Sequence, residues 1–371
     1  MMTTTSPETV QIAGAGPAGL SAAICLARAG RAVIVHEAQA QVGARWSGGW
    51  QVIENFTRQD DVWDAFQRYG ITLRCPRLPV HALTLFDDRM RATEVHSREP
   101  LGYLVRRGTA DGTLDTALLA AAQEAGVLLR YRSRVSPREA VAVRATGPAA
   151  ADGLGCEISF ATTLRNRLQV ILDPTLTPDG YAYLFVHEGW ATIGMAILHD
   201  FTVMDRAWHA TVERFQQLEP FTTGAARRSV VPVNFCLPRT LHARGALLAG
   251  EAAGLQDYLF GFGMRAAITS GCLAAQTILT ADDYDVAWRR LLGPAHAASV
   301  ALRYFYERSG RTGARWLIRA AGKARNVRAY LHGLYQPAWW QQVLLPLARW
   351  QWGHPAQCTH LPAVHWCRPH A

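Results

Sequence analysis

From Gly14 to Gly19 the chain reads Gly-Ala-Gly-Pro-Ala-Gly, three glycines at the spacing of a diphosphate-binding turn. The three do different things. Gly14 permits the tight turn, Gly16 brings bare backbone to the pyrophosphate, and Gly19 lets the following helix lie close to the strand. Pro17 and Ala18 open that helix, whose unpaired N–H groups and dipole favour negative charge. Glu37 follows Gly14 by 23 residues and is itself followed by Ala38. A carboxylate there accepts from ribose hydroxyls and repels a 2′-phosphate, so this turn is not an NADP site.

These residues need elements to position them. Thr9–Ala13 is apolar and β-prone, Leu20–Arg28 has helical composition and stops at Gly30, and Ala32–Glu37 is a short strand closed by the acid. That order is βαβ. Further strands are expected over Leu101–Val105, Val127–Tyr131, Ala140–Ala145 and Ala246–Ala249, with helices over Asp60–Tyr69, Thr113–Glu124, Phe201–Leu218 and Gly263–Thr280. Residues 156–199 change character: Tyr181–Val186 and Trp190–Ile197 are strand-like runs between Pro and Gly turns, which suggests an inserted antiparallel sheet.

A second glycine-rich stretch, Leu247-Leu248-Ala249-Gly250-Glu251-Ala252-Ala253-Gly254, precedes Gly261-Phe262-Gly263 at the start of a helix. With Gly14–Glu37, Tyr103–Arg107 and Pro178-Asp179-Gly180-Tyr181, it resembles the FAD-dependent geranylgeranyl reductase family, part of the p-hydroxybenzoate hydroxylase-like flavoproteins. The resemblance runs over about residues 8–290. It implies an α/β fold in which a Rossmann-type FAD-binding domain carries an inserted antiparallel β-sheet substrate domain, followed by C-terminal helices. The expected FAD-binding domain is residues 8–75, 101–150 and 240–285, the substrate domain 76–100 and 151–239, and the C-terminal helical Arg/Trp-rich segment 286–371.

The resemblance also implies roles. Gly250 and Glu251 would stand in the family's Gly-Asp position, Glu251 accepting from the ribityl chain of FAD. Gly261, Phe262, Gly263 and Met264 would offer backbone N–H groups to the pyrimidine edge of the flavin. Arg45 and Arg106 match positions that contact phosphates or the ribityl chain. Two features depart from the family: Tyr258 stands where Pro is usual, and Ala145-Thr146-Gly147 where flavin hydroxylases have Asp-Gly. No second glycine fingerprint is present, so the electron donor is open among NADPH, NADH and ferredoxin, and an external donor is an expected partner.

The activity so implied is reduction of C=C bonds in a small apolar, isoprenoid-like substrate. The alternatives are an FAD-dependent monooxygenase hydroxylating or epoxidising an aromatic or lipid-like substrate, and a redox-neutral FAD-dependent cyclase. No catalytic residue is assigned. Residues 45–56 are expected as a loop facing the cavity, with Trp46, Trp50, Glu54 and Asn55 on its lining, against a plain packing role for the tryptophans. Tyr181 and Tyr183 would form the cavity floor. The catalytic candidates are Trp46, Glu54, Tyr183 (as proton donor) and Tyr258.

Composition bounds the rest. With 49% hydrophobic and 18% charged residues in 371, the chain can bury a sizeable core. The formal charge of +9 is local: from residue 301 onward ten basic groups face only Glu307. Seven of the twelve tryptophans lie at Trp288 and beyond, beside apolar runs. That mixture suits an anionic membrane surface or the mouth of an apolar site better than nucleic acid, and no nucleic-acid partner is expected. Seven cysteines without framework spacing suggest a reducing compartment. With no basic leader and no uncharged apolar run of spanning length, a cytoplasmic, peripherally membrane-associated protein is expected. The terminal Cys358, His360, His365, Cys367 and His370 match no zinc-ligand spacing, so no metal is expected.

Overall fold

A computed structural model describes residues 9–148, 151–198, 200–235 and 238–352. Strand β1 (Val10–Ala13), helix α1 (Pro17–Arg28) and strand β2 (Val33–His36) form the expected βαβ unit, with Val10 paired in parallel to Val33. Pro17 sits in the first turn of α1, where its fixed φ suits the helix and its missing N–H costs nothing.

Next come β3 (Trp50–Glu54), α2 (Val62–Arg68), β4 (Leu78–Val80), β5 (Ala82–Phe86), β6 (Ala92–His96) and β7 (Gly102–Arg106). Here one expectation is corrected: the presumed loop 45–56 ends in a strand. Trp50–Glu54 pairs antiparallel with β7, Trp50 opposite Arg106, and β4 lies on the other side of β7. Helices α2 and α3 (Leu114–Glu124) begin where side chains cap them, Asp61 accepting from Trp63 N–H and Thr113 from Thr116 N–H.

After β8 (Leu128–Arg130) and β9 (Val143–Arg144), the chain builds a second layer from β10 (Gly153–Ala161), β11 (Arg167–Ile171), β12 (Tyr181–His187), β13 (Trp190–Ile197), α4 (Met204–Leu218) and β14 (Ser229–Val233). It returns through β15 (His242–Ala243) and β16 (Ala246–Leu248). The first sheet has the order β15-β16-β9-β1-β2-β8, parallel except for β15. Consecutive strands leave β1 on opposite sides, a switch point at whose carboxyl edge ligands bind. The other large sheet, β14-β10-β13-β12-β11-β5-β6, is antiparallel except where β11 meets β5.

Period-two alternation gives this second sheet two unlike faces. Cys156, Ile158 and Phe160 join Leu184 and Ile193 in a core covered by Trp208 and Phe215 of α4. The opposite face presents Gly155, Glu157, Tyr181, Tyr183 and Phe185 to a cavity.

Helices α5 (Met264–Thr280), α6 (Tyr284–Leu291), α7 (Gly293–Lys323), α8 (Val327–Leu334) and α9 (Trp339–Trp352) complete the chain's described part. α5 crosses α1 at close range, since a Cβ on Gly271 would lie 2.1 Å from the carbonyl oxygen of Ala18. α7 is two helical stretches joined at a kink on Gly310, where φ is 49°. Part of the basic C-terminal charge is internal. Arg303, 2% exposed, pairs with Glu307 at 2.8 Å and donates to Asp179 O, Arg315 pairs with Asp88 at 2.6 Å, and Arg328 donates to Asn55 O at 2.6 Å and Gln59 O at 2.8 Å. Among the described residues, no helix is long and apolar enough to cross a membrane, and no group of three His, Cys, Asp or Glu is placed to hold a metal. The Cys/His tail after residue 357 lies outside the described residues.

Candidate active site

The turn after β1 behaves as its glycines demand. Gly14 has φ +99°, and a Cβ there would lie 2.3 Å from Ala145 O. A Cβ on Gly19 would lie 1.9 Å from Gly14 O, so only glycine lets α1 seat on its own turn. A Cβ on Gly16 would meet nothing within 4 Å, because that side opens on the cavity. No side chain caps α1. Its first N–H groups therefore offer an anion site beside Pro17 and Ala18. The Glu37 carboxylate stands at this turn, accepting from Ala15 N–H at 3.0 Å and Gln39 N–H at 2.8 Å, with Ala38 also on the cavity wall.

The second glycine stretch follows β16. Gly250, at φ +63°, donates its N–H to Ser270 Oγ at 2.9 Å. Glu251 projects into the cavity, where one carboxylate oxygen pairs with Arg45 at 2.8 Å. The other, Oε1, is buried with no hydrogen-bond partner in the protein. An acceptor in that state calls for a donor from a ligand, as a polyol hydroxyl would be. Burial pushes the Glu251 carboxyl up, and the Arg45 guanidinium opposes the shift.

Residues 256–263 form a closed loop that carries Gly261, Phe262 and Gly263 to the N-terminus of α5 at Met264. Asp257 N–H donates to Phe262 O at 2.7 Å, Gly261 N–H to Asp257 O at 2.9 Å, and Phe260 N–H to Asp257 Oδ2 at 2.6 Å. Asp257 Oδ1 accepts from the Tyr335 hydroxyl at 2.6 Å, which ties the loop to the segment after α8. Tyr181 donates to Phe260 O, joining the loop to the sheet.

The glycine turn, Glu37, Arg45, Glu251 and residues 259–264 border one cavity of about 1060 Å³. It runs from the Gly14–Ala18 turn past the 256–263 loop to an apolar chamber lined by Leu85, Val95, Val170, Phe185, Leu317 and Leu331. Of the expected wall residues, Trp46, Trp50, Tyr181 and Tyr183 line it. The Arg45 and Arg107 guanidinium carbons lie 5.2 and 4.9 Å from the centre of the Trp46 ring.

Other expected residues lie behind the wall. Glu54 faces Arg265 and accepts from Thr57 Oγ1 at 3.1 Å, while Asn55 bonds Asp61, Pro100 O and Val62 N–H. Tyr258 packs against Phe235 and His296. Arg106 donates to Gly48 O at 3.1 Å and sits over the Trp190 ring, whereas its neighbour Arg107 reaches the cavity and is held by Asp115 at 2.8 and 2.9 Å. Residues not singled out from the sequence also line the wall, chiefly Gln51 and Glu157. Glu157 had a signal: it is the lone charge in an apolar strand, on the same face as Gly155 and Ser159.

A model of the NAD(P)-binding Rossmann-like domain matches residues 12–68. Among solved structures, a geranylgeranyl bacteriochlorophyll reductase-like protein from Thermoplasma acidophilum superposes with a TM-score of 0.68 at 16% identity, over 93% of this chain and 96% of that one. The fold is shared. A flavin-dependent brominase (TM-score 0.59, 15% identity, 87% and 97% covered) and PqsL of Pseudomonas aeruginosa, described as a "probable FAD-dependent monooxygenase" (0.60, 18%, 85% and 99%), have it too. The architecture is thus the p-hydroxybenzoate hydroxylase-like one expected from the motifs. No curated protein sequence matches the chain.

Proposed function

We propose that this protein is an FAD-dependent oxidoreductase that reduces C=C bonds of an apolar, isoprenoid-like substrate. The observation that carries this reading is the continuity of the cavity, which places a dinucleotide turn and an apolar chamber in one space. Gly14, Gly16, Pro17, Ala18 and Glu37 would hold the adenosine diphosphate half, Arg45 and Glu251 the ribityl chain, and residues 261–264 the ring. When bound and reduced, FAD supplies hydride to a carbon of the double bond. The chain would bind and orient: the chamber would keep water from the alkene, and the uncapped N-terminus of α5 would offset negative charge on a ring held by residues 261–264. The fold likeness to a brominase and a monooxygenase supports a second reading, in which oxygen is consumed.

Purified protein should be yellow, or take up one FAD. Reduced by dithionite under nitrogen, it should be reoxidised by all-trans-geranylgeraniol. Reoxidation only after oxygen is admitted would reject the reductase reading in favour of the second. NADPH, NADH and reduced ferredoxin can each be tried as donor in the same cell. Glu37→Ala should weaken FAD binding roughly ten- to a hundredfold, the loss of a charge-assisted hydrogen bond. A fluorescence-quenching titration measures this, and an unchanged Kd in a folded variant would remove Glu37 from the ribose.

We also propose that α9 docks on anionic membrane, from which such a substrate would arrive. Trp339, Val343, Leu347 and Trp350, exposed by 78, 56, 44 and 79%, recur at one-turn intervals along one side of this helix. Arg349 is exposed near them, while Trp340 packs inward against the Tyr335 cluster. Aromatic and leucine side chains beside bases form an interfacial helix. Vesicles rich in phosphatidylglycerol should sediment the protein at low salt and release it as salt rises. Trp339→Ala with Trp350→Ala should abolish co-sedimentation, and full recovery of the wild type in the supernatant would reject docking.

A further inference from the structure

We propose that Tyr183 and Glu157 form a proton relay in the cavity wall, Tyr183 delivering the proton to the substrate carbon and Glu157 replenishing it. The inference rests on the reading of the cavity as the place where an apolar alkene meets reduced FAD.

The geometry spans three strands. Glu157 on β10 and Tyr183 on β12 both stand opposite Gly194 on the intervening β13. Because residue 194 has no side chain, the Tyr183 ring lies across it, where a Cβ would come within 2.3 Å of Cζ. The phenol thereby reaches Glu157 and donates to Oε2 at 3.1 Å, and Gln51 Nε2 approaches the same oxygen at 3.4 Å. Tyr183 is half-buried and stacks on Phe185, with ring centres 4.7 Å apart, so its ring is fixed at the cavity surface. Glu157 is tucked behind it, 3% exposed, with Oε1 buried, unpartnered and lying against Gly49.

A structural carboxylate in such a place would have a cation bonded to it. The groups facing Glu157 are Gln51 from β3, Tyr183 from β12, Thr192 from β13 and Ser159 on its own strand. The guanidinium that acts on it, Arg107 beyond β7, is bound bidentately to Asp115. Burial pushes the Glu157 carboxyl up, which the hydrogen bonds from Tyr183 and Gln51 offset only in part. A carboxyl raised in this way and set behind a phenol can store a proton with a single outlet. Tyr183 alone is a poor acid, since burial and the neighbouring Glu157 raise it well above its ordinary value of 10.0.

In the transfer, one carbon of the double bond receives hydride, with its two electrons, from the reduced cofactor. The π pair forms a bond from the other carbon to the proton of Tyr183, whose O–H bond breaks. The Glu157 O–H bond breaks in turn and its proton passes to the Tyr183 oxygen. The negative charge ends on the Glu157 carboxylate, where Gln51 and Tyr183 both donate, and solvent restores the proton after product leaves.

The test uses FAD-loaded wild type with Glu157→Gln, Tyr183→Phe, their double variant and Gly194→Ala, the last displacing the ring while keeping both groups. FAD affinity should stay within about twofold throughout, since the relay lies outside the cradle. Anaerobic reoxidation of reduced protein by geranylgeraniol should slow roughly a hundredfold in each single variant. The double variant should be no slower, as for groups that act as one unit. The wild-type rate should fall on an alkaline limb that is absent in Glu157→Gln, a change that a packing role would not produce. Infrared difference spectra across that limb should show a protonated carboxyl band that Glu157→Gln removes. Wild-type reoxidation rates and pH profile in Glu157→Gln would overturn the relay and leave the reductase reading intact. Failure of the wild type to bind FAD or to be reoxidised by the alkene would overturn that reading instead. The infrared band would then judge Glu157 by itself, and its persistence in the Gln variant would reject the relay.

Discussion

Gly19→Ala is expected to abolish FAD binding and to destabilise the fold by about 3 kcal/mol or more, because the added methyl has no room. Its Cβ would stand 1.9 Å from the carbonyl oxygen of Gly14, a backbone atom held in turn against Ala145. Helix α1 would have to lift from its turn, carrying away the N–H groups proposed to meet the pyrophosphate. Gly16→Ala is the matched control. Its φ of −78° suits any residue and the added Cβ would meet nothing within 4 Å, so the fold should persist while the methyl would intrude on the proposed ligand. Thermal melts with FAD titrations separate the two outcomes. A Gly19→Ala protein as stable as wild type, with FAD affinity within a few-fold, would show that α1 does not seat on its turn.

Arg265→Met should cost about 3–5 kcal/mol of stability, the range for removing one partner of a buried ionic group. Arg265 is 2% exposed and donates to Asp60 Oδ1 at 2.9 Å and Asp60 O at 3.2 Å, with Glu54 Oε2 at 3.8 Å. Burial already drives Glu54 from its ordinary 4.5 to about 7, with Arg265 opposing. The folded protein therefore holds a proton on Glu54 that the unfolded chain has lost, and the contribution of this group to stability falls as pH rises from about 4.5 to about 7. Glu54→Gln removes that loss. Relative to wild type it should gain up to about 3 kcal/mol between pH 5 and 8, read from denaturant midpoints. A difference independent of pH would mean that Glu54 is ionised throughout.

What the sequence discloses is what local spacing controls. The turn at Gly14–Gly19, the helices capped by Asp61 and Thr113 and the runs at β12 and β13 are set by residues a few positions apart. Strand β3 was hidden because Gly48-Gly49 and the tryptophans read as a loop, and only pairing with β7 makes Trp50–Glu54 extended. The choice between Arg106 and Arg107 turns on one residue of strand register, which flips a side chain to the other face. Glu54 and Tyr258 carry suitable chemistry, but their partners Arg265 and Ser299 come from α5 and α7, distant in sequence, while Asn55 is spent on Asp61 and Val62 at the start of α2. Glu157 gains its meaning from Gly194 and Tyr183 on two other strands, a juxtaposition no single stretch encodes.

The strand order of the first sheet bears on how the protein is made. β1 rests against β9, and β9 against β16, so Ile12 is joined through Val143 to Leu247. The cradle's far side, Glu251 and the 256–263 loop, lies beyond that strand, and the loop is latched by Tyr335. Synthesis delivers the glycine turn before its counterparts, which begin 236 residues after Gly14 at Gly250. The emerging βαβ unit accordingly has a fingerprint without a pocket, and the proposed cofactor capture waits on the segments after β16. A ribosome-stalled nascent chain ending before β16 should retain no FAD after removal of the free cofactor, however complete its N-terminal motif.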